Sequence, residues 1–299
     1  MKILITGATG FVGKNLIPYL IHHVERAECI PLSVRYGDSL NTNAQVYIHL
    51  AGKAHDIRNT KEEKDYYEAN YLLTKNIYNA FLNDHSSECF IFISSAKAIA
   101  DNPTGCFVDE NYREGIKSVY GKSKKKAEDY IVDNLQKNKR VYILRPCMIH
   151  GPGNKGNLNL LYKIVSKNLS WPLGAFENKR SFCSIDNLMF IFKELIERED
   201  IPSGIYNVAD DEPLSTNELI GLIAKSQNRK PKVWNISKRF IEGFASIGDK
   251  LHLPLNTERL QKLTSSYVVS NAKIKDAIRK PFPVSSNEGL LKTFKSFNT

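Results

Sequence analysis

The sequence predicts an α/β fold, in which a doubly wound parallel sheet forms from the first half of the chain and a smaller α+β region follows. Strand-like and helix-like segments alternate up to about residue 150, which is typical of right-handed βαβ units. Two of the strand-like segments, CFIFIS and RVYILR, are apolar nearly throughout, as expected of strands buried on both faces. After RPCMIHGPGNKGN the alternation ends, because glycine, proline and asparagine cluster there and shorter helices follow.

The elements of the first half follow one another in strand-helix order. The strand-like segments are KILIT, CIPLSV, QVYIHL, CFIFIS and RVYILR, and helical patterns lie near residues 11–22, 62–83 and 118–138. Only about ten residues connect CIPLSV to QVYIHL, so a helix is shortened or missing there. We place a domain boundary near residue 152, with a first domain at 1–152 and a second at 153–299, some segments of which pack back on the first.

The bulk composition is that of an ordinary globular protein. Hydrophobic residues make up 42% and charged residues 25% of the 299 residues, which excludes a fibrous or disordered chain. No apolar run reaches the ~20 residues of a membrane-spanning helix, so we expect no integral membrane segment. KILITG follows Met1 directly and leaves no room for a signal peptide, so we expect a cytoplasmic protein.

The net charge of +10 favours partners that carry phosphate, whether nucleotide, nucleic acid or anionic lipid. The one dense basic run, KSKKKAED, lies in a predicted helix, where a solvated helix face is a better interpretation than nucleic-acid binding. No nucleic-acid-binding signature is present, so we expect no nucleic-acid partner. The five cysteines are scattered without zinc-ligand spacing, and we therefore expect no metal.

Three glycines lie between the first predicted strand and the first predicted helix, in GATGFVG. Gly7 and Gly10 allow the backbone to turn and approach a ligand, whereas Gly13 allows the helix to press on the strand. The amino terminus of a helix attracts a pyrophosphate through its unpaired N–H groups. The first domain is thus predicted to bind a dinucleotide and the second a substrate, with these cofactor-binding residues at the turn: Gly7, Thr9, Gly10, Phe11, Val12 and Gly13.

The residues after the second strand bear on which dinucleotide binds. A carboxylate at that point accepts a hydrogen bond from a free ribose 2′-hydroxyl, whereas an arginine accommodates a 2′-phosphate. Here Ser33 and Arg35 stand at the strand end, so NADP(H) is favoured. The alternative is that Arg35 is a surface residue and Asp38 binds the ribose, which keeps NAD(H) possible.

A tyrosine and a lysine four residues apart, Tyr120 and Lys124, are the main candidates for chemistry. On a helix they share one face, and a nearby ammonium favours the phenolate, which would lower the phenol pKa toward neutrality. The spacing alone also occurs by chance. Ser94 and Ser95, which end the buried strand CFIFIS 25 residues before Tyr120, add weight because a βα loop aims their hydroxyls at the same crevice.

These motifs together resemble the extended short-chain dehydrogenase/reductase family, specifically the NAD-dependent epimerase/dehydratase branch that acts on nucleotide sugars. The matching segments run in order along most of the chain: TGATGFVG, IHLAG, Asn70 in YEANYLLTKN, FISSAKA, YGKSK, LRPCMIHGPGN, RSFCSIDNL and GIYNVADDEPLSTNEL. The resemblance implies a Rossmann-type sheet and a catalytic trio. Tyr120 is then the proton donor or acceptor, Lys124 holds the nicotinamide ribose, and Ser95 hydrogen-bonds the reacting oxygen.

The resemblance also assigns residues that contact the two ligands. For the cofactor it adds Leu50, Ala51, Gly52, Asn70, Ser94, Pro146, Tyr120 and Lys124. Ser94 is also the fallback for the catalytic serine. For the substrate it implies that Arg180 reaches a diphosphate, and further candidates are Lys53, His55, Ser95, Met148 and Arg259. For Lys53 and His55 a polar rim is an equal alternative, and for Arg259 an exposed helix surface is the preferred interpretation.

The function favoured at this point is an NADP(H)-dependent reductase of a 4-keto nucleotide sugar, serving polysaccharide biosynthesis. The alternative is an NAD-dependent nucleotide-sugar 4-epimerase or dehydratase, and a second is a non-catalytic dinucleotide-binding protein. The resemblance further implies a homodimer formed through the helices at 62–83 and 118–138. Met148 departs from the polar residue that some epimerases carry, which loosens assignment to one particular epimerase.

Overall fold

The computed structural model describes residues 1–38, 40, 42–53, 62–101, 103, 107–113, 115–154, 156–251 and 256–298. Six parallel strands form the central sheet in the order β2-β1-β3-β4-β5-β8. They are β1 Lys2–Thr6, β2 Glu28–Leu32, β3 Val46–His49, β4 Cys89–Ile93, β5 Arg140–Pro146 and β8 Gly204–Val208. A separate parallel pair is formed by β6 Met148–His150 and β7 Phe182–Ser184. The predicted Rossmann-type α/β fold is confirmed.

The helices connect these strands and build the second region. They are α1 Phe11–His23, α2 Glu63–Tyr66, α3 Leu73–Asn83, α4 Val119–Asp133, α5 Asn157–Ser166, α6 Ile185–Glu197, α7 Thr216–Ser226, α8 Lys238–Leu251, α9 Thr257–Thr264, α10 Ala272–Ile278 and α11 Ser286–Lys295. A π-helix, Tyr67–Leu72, joins α2 to α3 in one helical run, and 3₁₀ turns cover Ala96–Ala98 and Ser296–Asn298. Within the described residues, no helix combines the length and apolarity that crossing a bilayer requires.

Helices cover both faces of the sheet, which explains why its inner strands are apolar throughout. On one face the buried core includes Leu16 and Leu20 of α1 and Phe192 of α6. On the other face it includes Phe81 of α3 and Ile131 of α4. Every residue of β3 and β4 is buried between these layers. The alternation of strands and helices in the sequence therefore produces the two-faced burial that parallel strands require.

The second half of the chain contributes to both parts of the structure. A separate apolar core joins α5, α7 and α11 and contains Leu158, Leu219, Leu290 and Phe294. In contrast, β8 pairs in register with β5, from Tyr142 opposite Gly204 to Pro146 opposite Val208. Residues after 152 thus complete the central sheet.

The strand order reverses between β1 and β3, because β2 lies on one side of β1 and β3 on the other. In open parallel sheets such a reversal leaves a crevice at the carboxyl ends of the strands, where ligands bind. The described residues between β2 and β3 contain no helix, as the short connection predicts. The second strand ends at Leu32, before the predicted CIPLSV segment does, so Ser33 and Arg35 lie in the following loop.

Candidate active site

The glycine turn fits tightly against the loop after β3. Gly7 has a φ of +69°, and a Cβ built there would lie 2.7 Å from the Ala51 nitrogen and 2.8 Å from the Leu50 carbonyl carbon. A Cβ on Gly13 would lie 2.6 Å from the carbonyl oxygen of Gly7. Real Cβ atoms do not approach backbone this closely, so any side chain at Gly7 or Gly13 would push the two loops apart.

The amino terminus of α1 opens into this turn. Gly10 is the residue before the helix, and no side chain of the described part of the chain caps its first turn. The first amides of a helix, here those of Phe11, Val12 and Gly13, have no partner within the helix and carry its positive dipole end. Backbone donors without obstructing side chains suit a dinucleotide pyrophosphate, so the residues of this turn fit the predicted cofactor.

Asn70 fixes the loop that faces the glycine turn. Its side-chain oxygen accepts from the Lys53 amide at 2.8 Å, and its amide group donates to the Lys53 carbonyl at 3.1 Å and to Ser123 Oγ at 3.0 Å. A Cβ on Gly52 would lie 2.7 Å from the Asn70 oxygen and 3.3 Å from Lys124 Nζ. Asn70 sits on the π-helix, an irregularity frequent at functional sites. It therefore clamps residues 52–53 close to Lys124.

A chain of buried hydrogen bonds continues beneath this loop. The Ala51 amide donates to Thr6 Oγ1 at 3.1 Å, and Thr6 lies 2.7 Å from His49 Nδ1. On the other side His49 Nε2 lies 2.9 Å from Thr74 Oγ1, which donates to the Asn70 carbonyl at 2.7 Å. Since the Thr74 proton is committed to Asn70, Nε2 carries the imidazole proton and Nδ1 accepts from Thr6. His49 is thus a neutral connector between β1, β3 and α3.

The phenol of Tyr120 is hydrogen-bonded by the Ser95 hydroxyl. Burial raises the pKa of Tyr120 above its ordinary value of 10.0, while the Ser95 hydrogen bond lowers it by less. The expected shift toward neutrality is therefore wrong for the chain alone, because burial opposes the charged phenolate. The ring of Tyr66 packs edge-on at 6.2 Å between centroids and helps to exclude water. Tyr120 is a protonated, oriented donor.

Lys124 is buried one helical turn after Tyr120, on the same face of α4. Its Nζ donates to the Ile93 carbonyl at 2.9 Å and lies 4.8 Å from the centre of the Phe92 ring. Burial lowers the pKa of Lys124 to about 8, and the negative charge of Glu128 acts in the opposite direction. The ammonium is thus held at the carboxyl end of β4, next to the loop at Gly52.

Ser94 and Ser95 point to different partners. Ser94 is buried, and its hydroxyl donates to Glu128 Oε1. Glu128 also accepts hydrogen bonds from Arg145 Nε at 2.9 Å and from Arg145 Nη2 at 2.6 Å. The side chains of Arg145 and Glu128 are 4% and 1% exposed. Of the two candidate serines, Ser95 therefore contacts Tyr120, whereas the Ser94 hydroxyl binds the buried Glu128. A cofactor contact by Ser94 would have to use its backbone.

Two residues that the sequence did not single out support the Ser95 loop. The Tyr267 hydroxyl donates to the carbonyl oxygens of Ala96 at 2.9 Å and Ala100 at 2.8 Å. Gly121 lets α4 approach the same loop, since a Cβ there would lie 2.4 Å from the Lys97 carbonyl oxygen. The YGKSK motif contains Gly121 and could have signalled a close approach, whereas nothing in the sequence around Tyr267 points to Ser95.

The predicted diphosphate ligand Arg180 is anchored by the segment that follows α9. Its Nε donates to the Ser265 carbonyl at 3.0 Å and its Nη2 lies 3.1 Å from Ser265 Oγ. Backbone bridges also pair Arg180 with Tyr267 and with Leu214. Burial lowers the pKa of the guanidinium from its ordinary value. A guanidinium held in this way is of the residue type that binds phosphate groups.

The other substrate candidates occupy varied positions. Lys53 Nζ forms an ion pair with Asp65 of α2 at 2.6 Å. Met148 is half-buried and packs against the core of the second region, and Arg259 is exposed on α9. His55 lies outside the described residues. The structure thus leaves the assignment of these four residues to the sugar a prediction.

The two ends of the predicted cofactor site are also defined. After β2, the Asp38 carboxylate accepts from the Arg35 amide at 2.7 Å and closes a turn in which both side chains are exposed. Ser33 is exposed just before it. At the far end, Pro146 is buried as the last residue of β5. Among the described residues no cluster of histidine, cysteine or acidic side chains could hold a metal ion.

A phosphate cradle lies at the reversal of strand order, beside the half-buried Ser95 and Tyr120 and the buried Lys124, and this arrangement is typical of a dinucleotide-dependent enzyme. Residues 3–209 match the model of the NAD dependent epimerase/dehydratase family. The match spans more than half of the chain, which therefore belongs to this family. The predicted family and the prediction of an NAD(P)-dependent enzyme are confirmed.

Known proteins of several activities are similar to the chain. It is 28% identical to a UDP-glucose 4-epimerase of Vibrio cholerae, over 99% of this chain and 95% of the relative. It is 24% identical to a GDP-6-deoxy-D-mannose reductase of Pseudomonas aeruginosa, over 75% and 79%. The solved UDP-glucuronic acid 4-epimerase of Bacillus cereus with NAD superposes with a TM-score of 0.76 at 18% identity, over 100% and 96%.

Proposed function

We propose that the chain is an NADP(H)-dependent reductase of a 4-keto nucleotide sugar, in which hydride arrives at C4 and Tyr120 protonates the oxygen. The observation that carries this proposal is the half-buried Tyr120 phenol, which the Ser95 hydroxyl hydrogen-bonds and whose pKa desolvation raises above its ordinary value. A phenol that keeps its proton at neutral pH is prepared to give it up to an emerging alkoxide. Reduction needs such a proton donor, whereas oxidation of a hydroxyl needs a base.

Ser95 and Lys124 have separate roles beside Tyr120. The Ser95 hydroxyl, already held by the Lys97 amide at 3.2 Å, orients the carbonyl oxygen toward Tyr120. The Lys124 ammonium stabilises negative charge that develops as Tyr120 loses its proton. Asn70 and Gly52 keep the loop beside Lys124 in position. The bound dinucleotide supplies the hydride that C4 receives.

The preference for NADP(H) is supported by the turn after β2. Arg35 is exposed there, and the Asp38 carboxylate accepts the Arg35 amide within its own turn. The Asp38 carboxylate therefore binds the Arg35 amide, which favours an interpretation in which it does not bind a ribose 2′-hydroxyl. Together with Ser33, Arg35 offers donors to a 2′-phosphate.

A nucleotide-sugar substrate is supported by Arg180 and by the relatives. Two hydrogen bonds hold Arg180 on Ser265, and the net charge of +10 favours arrival of a diphosphate. The Vibrio cholerae relative is named for UDP-glucose and the Pseudomonas aeruginosa relative for a GDP-linked sugar. A panel of nucleotide sugars is needed to identify the sugar and the base of the nucleotide.

A 4-epimerase is the second candidate, and a specific comparison favours it. The Vibrio cholerae relative, which the chain matches over 99% of its length, is a 4-epimerase. Such an enzyme removes a hydride and returns it to the other face, so it consumes no cofactor overall. Net consumption of NADPH therefore separates the two functions.

The test incubates the purified chain with NADPH or NADH and a panel of UDP- and GDP-linked 4-keto sugars and 4-hydroxy sugars. We expect stoichiometric NADPH oxidation with a 4-keto sugar, and a kcat at least ~100-fold lower in Tyr120→Phe. Tyr130→Phe, a change on the outer part of α4, is the matched control and should keep full activity. Interconversion of 4-hydroxy sugars without cofactor consumption would replace the reductase by the epimerase.

We further infer a homodimer formed through the outer faces of α3 and α4. Tyr67 is 37% exposed beside this surface, and Lys126 lies over the rings of Tyr67 and Tyr71 at 4.6 and 4.8 Å. Tyrosine side chains are enriched at protein interfaces. Sedimentation equilibrium should give twice the mass of the chain, and Tyr71→Ala should shift the protein toward monomer.

A further inference from the structure

Helix α8 exposes an apolar stripe that no described residue of the protein covers. Phe240, Phe244 and Ile247 are 66%, 49% and 52% exposed and follow the i, i+4, i+7 spacing of one helical face. Beside them Ile241 and Ala245 are buried against the second core. The apolar face of α8 is thus about twice as wide as its packing requires. We call Phe240, Phe244 and Ile247 the α8 stripe.

Further exposed apolar side chains lie on the segments joined to α8. Trp234, four residues before the helix, is 59% exposed although its backbone is fixed, since its amide donates to the Trp171 carbonyl at 2.8 Å. Leu263 is 42% exposed on α9, which packs against α8. An isolated exposed apolar residue needs no explanation, but a stripe with an aromatic residue at its entrance marks an interaction surface.

Positive charge surrounds this stripe. Residues 225–250 contain seven Lys and Arg against two Asp and Glu, a net charge of +5, which is half of the +10 of the whole chain. Lys238 and Arg239 are exposed at the start of α8, directly before Phe240. Of the two acids, Asp249 accepts a hydrogen bond from the Thr257 amide at 3.1 Å, at the first residue of α9. The surface therefore combines aromatic and aliphatic groups with flanking cations.

We propose that the α8 stripe docks on an anionic lipid bilayer, with the helix lying in the plane of the interface. An interfacial helix has an apolar face that enters the acyl boundary and Lys and Arg that meet the headgroups. Trp234 is the residue type that prefers the headgroup level. A second copy of the chain fits less well, because a symmetric contact would place the +5 of one segment against the +5 of its partner.

A short stretch of chain connects the proposed docking surface to residues of the candidate active site. The chain runs from α8 through α9 to Ser265, which holds Arg180, and then to Tyr267, whose hydroxyl holds the Ser95 loop at Ala96. The bilayer contact and the substrate cleft therefore share one segment. This inference is independent of the reductase proposal, because it concerns where the enzyme resides and not which sugar it reduces.

The first test is co-sedimentation of the full chain with vesicles of phosphatidylcholine alone or mixed with phosphatidylglycerol. We expect binding to the mixed vesicles that weakens with added salt. Phe240→Gln/Phe244→Gln should lower the partition coefficient at least ~10-fold. Lys238→Gln/Arg239→Gln should lower it about 10-fold for mixed vesicles only. The matched controls Ile21→Gln, in which the residue is 60% exposed on α1, and Lys2→Gln/Lys137→Gln should bind like the parent.

The second test reads the orientation through tryptophan fluorescence. The chain has two tryptophans, and Trp171 is buried, so Trp171→Phe leaves Trp234 as the single reporter. Its emission should shift to shorter wavelength on mixed vesicles. Lack of vesicle binding at low salt, or equal binding by Phe240→Gln/Phe244→Gln, overturns the proposal. It is overturned as well if sedimentation equilibrium shows a self-association that this double variant abolishes while vesicles bind neither protein.

Discussion

The hydroxyl of Tyr267 donates to the carbonyl oxygen of Ala96 at 2.9 Å, which ties the last part of the chain to the loop that carries Ser95. The two residues are separated by 171 positions in the sequence. The same hydroxyl reaches the Ala100 carbonyl at 2.8 Å, so one side chain holds both ends of the short 3₁₀ turn. The second region thus helps to position the loop that carries Ser95.

We expect Tyr267→Phe to lower kcat about tenfold while KM changes little, because the Ser95 loop loses its anchor but the binding residues remain. Loss of the hydrogen bonds from the Tyr267 hydroxyl should lower the free energy of unfolding by about 1–3 kcal/mol. Steady-state kinetics and thermal unfolding measure both. Tyr142→Phe removes a comparable hydroxyl, which donates to the Ile201 carbonyl at 2.9 Å away from the trio. That control should lose stability alone; a similar loss of kcat in both variants would contradict the positioning role.

The alkaline side of the pH–rate profile should report Lys124. Burial lowers the pKa of Lys124 to about 8, so the ammonium is present below that pH and is lost above it. Tyr120, whose pKa is raised above 10.0, keeps its proton throughout this range. We therefore expect kcat/KM for reduction to fall above pH 8. In Lys124→Arg the side chain stays charged, so any residual activity should persist to higher pH.

The same pKa shift has a consequence for stability. The unfolded lysine has a pKa near 10.5, so between pH 8 and 10.5 the unfolded state binds more protons than the folded state. The free energy of unfolding contributed by Lys124 therefore rises with pH across this window. An alkaline fall in activity without a fall in stability distinguishes titration of Lys124 from unfolding, and a parallel loss of both would refute the assignment.

Acid should destabilise the fold through His49. Burial, aided by the charge of Lys124, lowers the pKa of His49 to about 3, whereas the unfolded histidine titrates near 6.5. Below pH 6.5 the unfolded state therefore binds more protons, and stability falls as pH decreases toward 3. One and a half pKa units correspond to about 2 kcal/mol lost by pH 5. Urea unfolding at pH 7 and pH 5 should show this difference in the parent and a smaller one in His49→Asn.

An exposed histidine gives the control for that measurement. His85 is exposed in the loop after α3, so His85→Asn should leave the acid loss of stability unchanged. Equal acid sensitivity of His49→Asn and the parent would show that the buried chain of Thr6, His49 and Thr74 does not keep the imidazole neutral. The result then would point to another titrating group.

Cofactor choice can be tested at the turn after β2. If Arg35 meets a 2′-phosphate, Arg35→Ala should raise KM for NADPH about 10- to 100-fold and leave KM for NADH nearly unchanged, because a charge-assisted hydrogen bond is lost only for NADPH. Asp38→Ala is the companion variant. A raised KM for NADH in Asp38→Ala, with no effect of Arg35→Ala on either cofactor, would favour the alternative in which Asp38 holds the ribose.

The sequence was sufficient for features that depend on local spacing. The apolar runs predicted β1 to β5 but not the short strand β6, and the four-residue interval placed Tyr120 and Lys124 on one face of α4. The choice between Ser94 and Ser95 needed coordinates, because it depends on how β4 ends relative to Glu128. The sign of the Tyr120 pKa shift was wrong for a related reason: spacing reveals a nearby cation but not the cost of burial.

Contacts between distant segments account for what the sequence did not reveal. His49 belongs to the recognisable IHLAG segment, but its neutral state follows only from the partners that Thr6 and Thr74 provide. Tyr267 reaches the Ser95 loop from the far end of the chain. Neither role has a local pattern, since each depends on two segments that meet only after the sheet has formed.

Gly121 offers a sharp test of how closely α4 must approach the Ser95 loop. A Cβ at this position would lie 2.4 Å from the Lys97 carbonyl oxygen, so Gly121→Ala must push α4 and the loop apart. Overpacking of this kind costs about 1–3 kcal/mol of stability. Because Tyr120 precedes Gly121 and Ser95 lies on the displaced loop, we expect kcat to fall at least ~10-fold, since the hydrogen-bond distance between them would lengthen.

The matched control is Gly221→Ala in α7, where a Cβ meets no atom within 4 Å. That change should stabilise the helix by about 0.5–1 kcal/mol, because alanine loses less backbone entropy on folding, and should leave kcat unchanged. Opposite effects of the same chemical change, measured by thermal unfolding and by kinetics, would locate the sensitivity at the contact with Lys97. If Gly121→Ala were as active as the parent, the Ser95–Tyr120 hydrogen bond could not depend on close packing of α4, and the positioning role of Gly121 would have to be abandoned.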